Sequence, residues 1–216
     1  MRKVALTILC SLLLVPSLAL AQVDCPECVL GLWDEQGLVN NFGAMAAGTP
    51  KDIFLGVTVP AGETGLTGVE FSIAGMRQVE DGILVLSVTP IPAATVIGSV
   101  QAPADTSMSS TGTGGANIAW SECQGISGGS LAIARIQLLS FTPVVDKVFK
   151  VKRKYPVSNM MNYPFNAVLV RCDFPVFTTV KMREGCYIAG YSGAPLANCS
   201  VAVEEETWSG VKQLFR

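Results

Sequence analysis

Histidine is absent from all 216 residues. That removes the commonest general base near neutral pH, the commonest zinc ligand and every Ser-His or Cys-His nucleophile pair. Charge is scarce too. Only 15% of residues carry it, and 17 acids outnumber 15 bases, so the chain lacks the basic excess that a nucleic-acid partner requires. No carboxylate run has the D-x-D-x-D-G spacing of a calcium loop. Beyond the first 21 residues no apolar run reaches the ~20 residues that cross a bilayer without meeting a charge or a turn residue. The chemistry that remains belongs to carboxylates, lysines and thiols, and no cofactor is expected.

What the chain does have begins with an export signal. Arg2 and Lys3 form a positive start, Val4 to Val15 is almost wholly apolar, and Ala19-Leu20-Ala21 places small residues at the −3 and −1 positions of a cleavage site before Gln22. Cys10 lies inside the apolar stretch, and Cys25 follows Gln-Val-Asp where a lipoprotein signal needs small and apolar residues. Cleavage removes Arg2 and Lys3 and no acid, taking the net charge from −2 to −4. The expected location is secreted, periplasmic or extracellular, with no transmembrane segment in the mature chain. In such a compartment the six remaining cysteines can oxidise.

Half the residues are apolar, with 21 Gly and 12 Pro, a balance that suits a turn-rich β protein with a real core. Ile53, Leu55, Val57 and Val59 alternate with Phe54, Gly56 and Thr58 until Pro60 ends the run. Val69, Phe71 and Ile73 alternate with Glu70, Ser72 and Ala74, the pattern of a half-buried strand. Ile83 to Val88 is apolar on both faces and reads as an interior strand. Thr95–Val100, Ala116–Glu122, Val148–Tyr155, Phe165–Cys172, Val176–Met182 and Cys186–Ala189 are further strands. Leu131–Phe141 crosses Arg135 and Gln137, which calls for a bulge or a change of face. The pattern predicts an all-β chain, a jelly-roll or Ig-like β-sandwich. Residues 101–115, rich in Ser, Thr and Gly, read as a long loop. A short amphipathic helix is expected at 204–216. Trp208, Val211, Leu214 and Phe215 share its face, acids precede it and Lys212 and Arg216 end it. It would dock on the sandwich or serve as a sorting or assembly tag.

The succession ThrProLysAspIlePheLeuGlyValThrVal (49–59), GlyLeuThrGlyValGluPheSerIle (65–73), GlyIleLeuValLeuSerValThrPro (82–90), AlaAsnIleAlaTrpSer (116–121) and GlySerLeuAlaIleAlaArgIle (129–136) resembles cohesin-like domains. The same strand motifs occur in the same order, over roughly residues 48–142. More loosely, the chain is similar to the carbohydrate-binding sandwiches of secreted proteins. The resemblance implies a jelly-roll sandwich with a non-enzymatic role in protein–protein or surface assembly. It divides the chain into a signal (1–21), an N-terminal segment (22–47), a cohesin-like sandwich (48–142), further Cys-rich strands packed on the same domain (143–203) and the terminal helix (204–216).

Candidate chemistry is sparse. Cys25-Pro26-Glu27-Cys28 has the spacing of a redox pair, but a redox site needs a helix start beneath the first thiol. A zinc site would need a second pair, which Cys123, Cys172, Cys186 and Cys199 do not form. Pro26 at the second position of a β-turn instead brings Cys25 and Cys28 within bridging range. The other four then make two bridges, with Cys172–Cys199 and Cys123–Cys186 the preferred pairing. Lys150, Lys152 and Lys154 share one face of a strand, as either an anion-binding strip or lysines guarding a sheet edge. Trp120 and Trp208 are expected to be buried, leaving Trp33, beside Asp34 and Glu35, as a candidate contact for a sugar or protein. Asn198-Cys199-Ser200 fits a glycosylation sequon.

These features point to a secreted, non-catalytic binding or structural module of the cell envelope, with a protein or glycan partner at the cell surface. Two other readings remain: a carboxylate-based extracellular glycan hydrolase, and a thiol–disulfide protein using Cys25 and Cys28. We expect mass spectrometry of the exported protein to find an N-terminal peptide starting at Gln22. A mature form that retains Arg2 and Lys3 would refute the cleavage.

Overall fold

A computed structural model describes residues 22–60, 65–102, 114–126, 129–154, 167–172 and 179–193. The first 21 residues, most of the 101–115 loop, Cys199 and the proposed terminal helix with Trp208, Val211, Leu214 and Phe215 lie outside them. Within them the chain is almost entirely extended. Twelve strands run in order: β1 (Gln22–Trp33), β2 (Phe42–Gly43), β3 (Lys51–Thr58), β4 (Gly65–Ala74), β5 (Ile83–Pro90), β6 (Thr95–Ser99), β7 (Gly115–Gly125), β8 (Ser130–Ser140), β9 (Lys147–Lys152), β10 (Val168–Arg171), β11 (Thr179–Glu184) and β12 (Cys186–Ala189). One short helix, α1 (Gln78–Asp81), connects β4 to β5. No helix among the described residues is long and apolar enough to cross a membrane.

The strands hydrogen-bond in the order β2-β12-β9-β4-β10-β11-β1-β3-β8-β5, and β7 adds to β4 and carries β6. Most pairs are antiparallel, but β1 runs parallel to β11, and β12 parallel to β2. This all-β architecture encloses a single main core. Leu30, Leu32, Ile53, Leu55, Phe71, Ile73, Ile118, Ile136, Phe149, Val151 and Tyr187 are all at or near zero exposure within it. Period-two alternation explains the selection. Ile53, Leu55 and Val57 of β3 are buried while Phe54 and Thr58 face the other way, as the sequence pattern required.

The middle strands of the sequence reading are present, but their surroundings differ in four places. Residues 22–47 carry β1 and β2, which propensity did not reveal because Pro26 and three glycines interrupt the apolar pattern. β1 nonetheless sits between β11 and β3. Strand β4 is covered on both faces, since Gly68 and Ser72 are buried as fully as Val69 and Phe71. β5, expected in the interior, instead ends the path and, among the described residues, pairs only with β8. Its register slips between Val85 and Ser87, and the bulged Leu86 is 43% exposed. Its apolar content reflects packing on one side and an exposed bulge on the other. β9, expected at an edge, lies between β12 and β4.

The bulge expected in β8 is found beside Ile133, where Leu55 pairs with Ala134 and Gly56 with Ala132. On the outer side of β1 and β3 a second apolar layer forms. The Trp33 ring lies over Gly31, and Leu38, at φ 55°, lies over Gly56. A Cβ at either glycine would come within 2.8 Å of those side chains, so glycine is what lets them pack there.

Two disulfides lie wholly within the described residues. Cys25–Cys28 closes across a bulge in β1, with Cα atoms 5.2 Å apart. Cys123–Cys172 joins the end of β7 to the residue after β10. That corrects the preferred pairing of Cys123 with Cys186 and Cys172 with Cys199. β7 and β10 flank β4 on opposite edges, and the bridge passes over Gly65 of β4, whose Cβ would stand 2.6 and 3.2 Å from the two sulfurs. Nothing in the sequence spacing signals that two strands are brought together by a third. Cys186 is also disulfide-bonded. Loop closure predicts very different values for the two bridges. Replacing Cys123 and Cys172 by serine should cost about 4 kcal/mol, and replacing Cys25 and Cys28 about 2 kcal/mol, because the longer loop constrains the unfolded chain more. Urea unfolding of the two double variants checks the order, and equal losses would contradict it.

Candidate functional site

The outer face of the β6-β7-β4-β10 sheet carries exposed residues from β6 and β7. In β7, Ala119, Ser121, Glu122 and Cys123 are exposed while Ile118 and Trp120 are buried. Trp120 is tied down by its Nε1, which donates to the Pro92 carbonyl at 3.1 Å. In β10, Leu169 faces the core and Val168 and Val170 face outward, Val170 opposite Gly68 of β4. β6 adds Ile97, 61% exposed, beside Asn117 of β7. Because Gly68 and Ala119 are so small, the face sinks between its neighbours. It forms an open, mainly apolar depression of about 530 Å³ lined by Thr67, Gly68, Ala119, Ser121, Val170 and the Cys123–Cys172 bridge. A Cβ on Gly68 would stand 3.3 Å from the Ile118 carbonyl, so the floor of this depression is backbone.

One margin of the face is charged and internally compensated. Lys152 of β9 meets Glu184 at 3.5 Å, and Lys154 meets Glu70 of β4 at 4.0 Å. Lys150 and Lys152 lie on one side of β9, with Phe149 and Val151 buried on the other. Two of the three lysines face carboxylates. Among the described residues Lys150 has none within ion-pair distance. The edge-guarding role expected for the row does not apply, since β9 is an interior strand.

Several other acidic groups are likewise held by cations or hydroxyls. Asp34 accepts from Lys51 at 2.6 Å and from the Tyr187 hydroxyl at 2.5 Å. Gly43 leaves room for that contact, because a Cβ there would collide with both partners. Burial, then the Asp34 carboxylate, pushes the Tyr187 phenol far above its ordinary range, so it stays a donor. Asp52 faces Arg135 at 3.7 Å and accepts from Gln137. Asp146, at φ 47°, accepts from both the backbone N–H and the hydroxyl of Ser192, which hold its carboxyl below the usual range.

Asp81 is the most heavily engaged acid. Its carboxylate accepts the Arg77 backbone N–H at 2.8 Å, lies 3.0 Å from Lys147 Nζ and 3.6 Å from Arg77 Nε. Burial pushes this carboxyl up, but the backbone N–H and the Lys147 ammonium outweigh it and hold the group below 3.8.

Other residues flagged from sequence are placed as follows. Trp33 is 8% exposed over Gly31, with little surface to offer a ligand. Cys25 and Cys28 are bridged to each other inside strand β1, and no helix starts there. The depression on β7 and β10 had no sequence signal. Its small residues, Gly68 and Ala119, look unremarkable in a strand until the register sets them side by side.

Compared with known proteins by sequence, the chain matches no family model and no curated relative. By structure it is similar to a cohesin module from a family 33 glycoside hydrolase of Clostridium perfringens, with 10% identity over 76% of this chain and 96% of that one, at a TM-score of 0.43. A non-cellulosomal cohesin from the archaeon Archaeoglobus fulgidus aligns at 12% identity over 77% and 91%, TM-score 0.41. A type I cohesin of Clostridium thermocellum, solved with its dockerin, aligns at 12% over 79% and 98%, TM-score 0.41. The all-β architecture itself rests on the strand pairing described above.

The Asp81 contacts give a direct pH prediction. A carboxyl depressed in the folded state adds stability that is present above its unfolded value near 3.8 and is lost as pH falls through the folded value. Asp81→Asn should therefore destabilise the protein at pH 7 and have little further effect at pH 2. Urea titrations at the two pH values measure this, and an equal loss at both would refute the ionic role.

Proposed function

We propose that the protein is a non-catalytic binding module that works in an oxidising compartment outside the cytoplasm, and that it contacts a protein partner through the outer face of β6, β7, β4 and β10. The observation that carries this reading is the depression floored by Gly68 and Ala119. A sheet face normally carries larger side chains. Here a backbone floor bordered by Val170 and Ile97 offers a flat apolar centre, with ion-paired lysines and carboxylates at one margin. A partly apolar centre with a polar border is the usual anatomy of a protein interface. Such a face can accept an edge or a helix without the deep enclosure that small substrates require.

Further support comes from how the reactive groups are used. Cys25 and Cys28 are joined to each other, and the carboxylates of Asp34, Asp52, Asp81, Glu70 and Glu184 each face a cation. A glycosidase needs two carboxyls turned toward each other across a cleft, whereas these are turned toward cations. The disulfides suit the oxidising exterior. The strand motifs between 48 and 142 that resemble cohesin-like domains point to the same kind of role. A cell-surface protein partner is part of this proposal, with a glycan as the competing ligand.

The test uses the mature chain and Ala119→Arg, which places a long charged side chain across the depression from an exposed position. Wild type, immobilised and exposed to the envelope and medium fractions of its own source, should retain a protein saturably. The variant should lose at least tenfold in affinity while its unfolding midpoint stays within a few degrees. Equal retention by both proteins would exclude this face, and saturable turnover of a glycan by the wild type would overturn the non-enzymatic role.

A further inference from the structure

Strand β6 is exposed along most of its length. Only Val96 is substantially covered, and Thr95, Ile97, Gly98 and Ser99 are open. Among the described residues it pairs only with β7, so its far edge presents backbone N–H and C=O groups without strand partners. Proteins ordinarily guard such edges with charge, proline, bulges or brevity. The other ends of the sheet path follow that rule. β5 has a bulge at Leu86 and ends on Pro90, and β2 is two residues long. β6 has none of these devices. From Val88 to Ala104 the chain contains no charged residue at all.

The strand is also fixed in place. Before it, the Ile91 N–H donates to the Ile133 carbonyl and Trp120 holds the Pro92 carbonyl. After it, the Ile73 N–H donates to the Val100 carbonyl and the Ala102 N–H to the Ile73 carbonyl, which clamps residues 100–102 to β4. An edge ordered this firmly loses little further freedom on pairing.

We propose that β6 pairs antiparallel with β6 of a second copy of this chain, about a two-fold axis near its central residue, Ile97. A self-paired strand is the occupant that best fits the edge. The two identical segments bring no charge to the seam, although the chain as a whole is acidic. Ile97, 61% exposed on the outer face, would pack across the junction against its own counterpart, a cross-strand apolar pair. Such a two-fold contact closes on itself and does not propagate. It would also place the two depressions on one continuous sheet surface. The interface is small, so the dimer should be weak, in keeping with contacts below the standard interface size.

Sedimentation velocity of the mature protein between about 5 and 300 µM tests this. We expect a concentration-dependent shift from monomer to dimer, weakened at least tenfold by Ile97→Lys and unaffected by Leu86→Lys on the guarded β5 edge. A wild type that stays monomeric throughout overturns the proposal, whatever the variants do. So does a dimer that survives Ile97→Lys, or one that Leu86→Lys abolishes. Partner capture is read separately with Ala119→Arg, so loss of self-association leaves the binding face standing, and the reverse also holds.

Discussion

Strand β4 must satisfy three neighbours. It pairs with β7 along one edge and, along the other, with β10 through its first half and β9 through its second. A strand paired this way has no exposed edge and almost no exposed face, which is why Gly68 and Ser72 are as buried as Phe71. Even its polar residues are accounted for, since the Ser72 hydroxyl donates to the Arg153 carbonyl at 2.5 Å. Remove β4 and the path breaks into two sheets, one holding β9, β12 and β2, the other β10, β11, β1, β3, β8 and β5. The Cys123–Cys172 bridge belongs to the same constraint, for it ties together the two strands that β4 separates.

The depression follows from this crowding. Where a strand is packed on both faces, its outward residues must be small enough for neighbours to approach. Gly65 accommodates the disulfide, and Gly68 accommodates the β7 backbone and Val170. The same economy of side chain that lets β4 be buried leaves a shallow hollow outside. The candidate surface is thus a by-product of how the core is built, and a side chain added at Gly68, unlike one at the exposed Ala119, will be felt in the packing of β4 itself.

Much of the architecture was legible in the sequence where period two is clean. Ile53, Leu55 and Val57, or Ile118 and Trp120, face inward as their alternation requires. The limits of reading are equally specific. Pairing partners are long-range facts, and a strand apolar on both faces, such as β5, can as easily be an edge with a bulge as an interior strand. The lysines of β9 suggested an edge because unpaired lysines favour water, but Glu184 and Glu70, far apart in sequence, supply their charges in the interior of the sheet. Pro26 and Gly31 hid β1, and the disulfide pairing depended on a strand order that no spacing encodes. The candidate face was invisible for the same reason, since Gly68 and Ala119 become neighbours only through register.

The parallel pairing of β1 with β11 carries a consequence for how the chain acquires its structure. Residues 22–24 open the first strand, yet their partners, 179–181, belong to the next-to-last. Nearly the whole described chain must be available before that ladder can form, a long loop to close and a source of slow folding. The Cys25–Cys28 bridge, by contrast, needs only four residues and can close at once. It fixes the bulge in β1 while the strand is still waiting, so the earliest covalent event shapes a strand whose parallel ladder is completed only when β11 arrives.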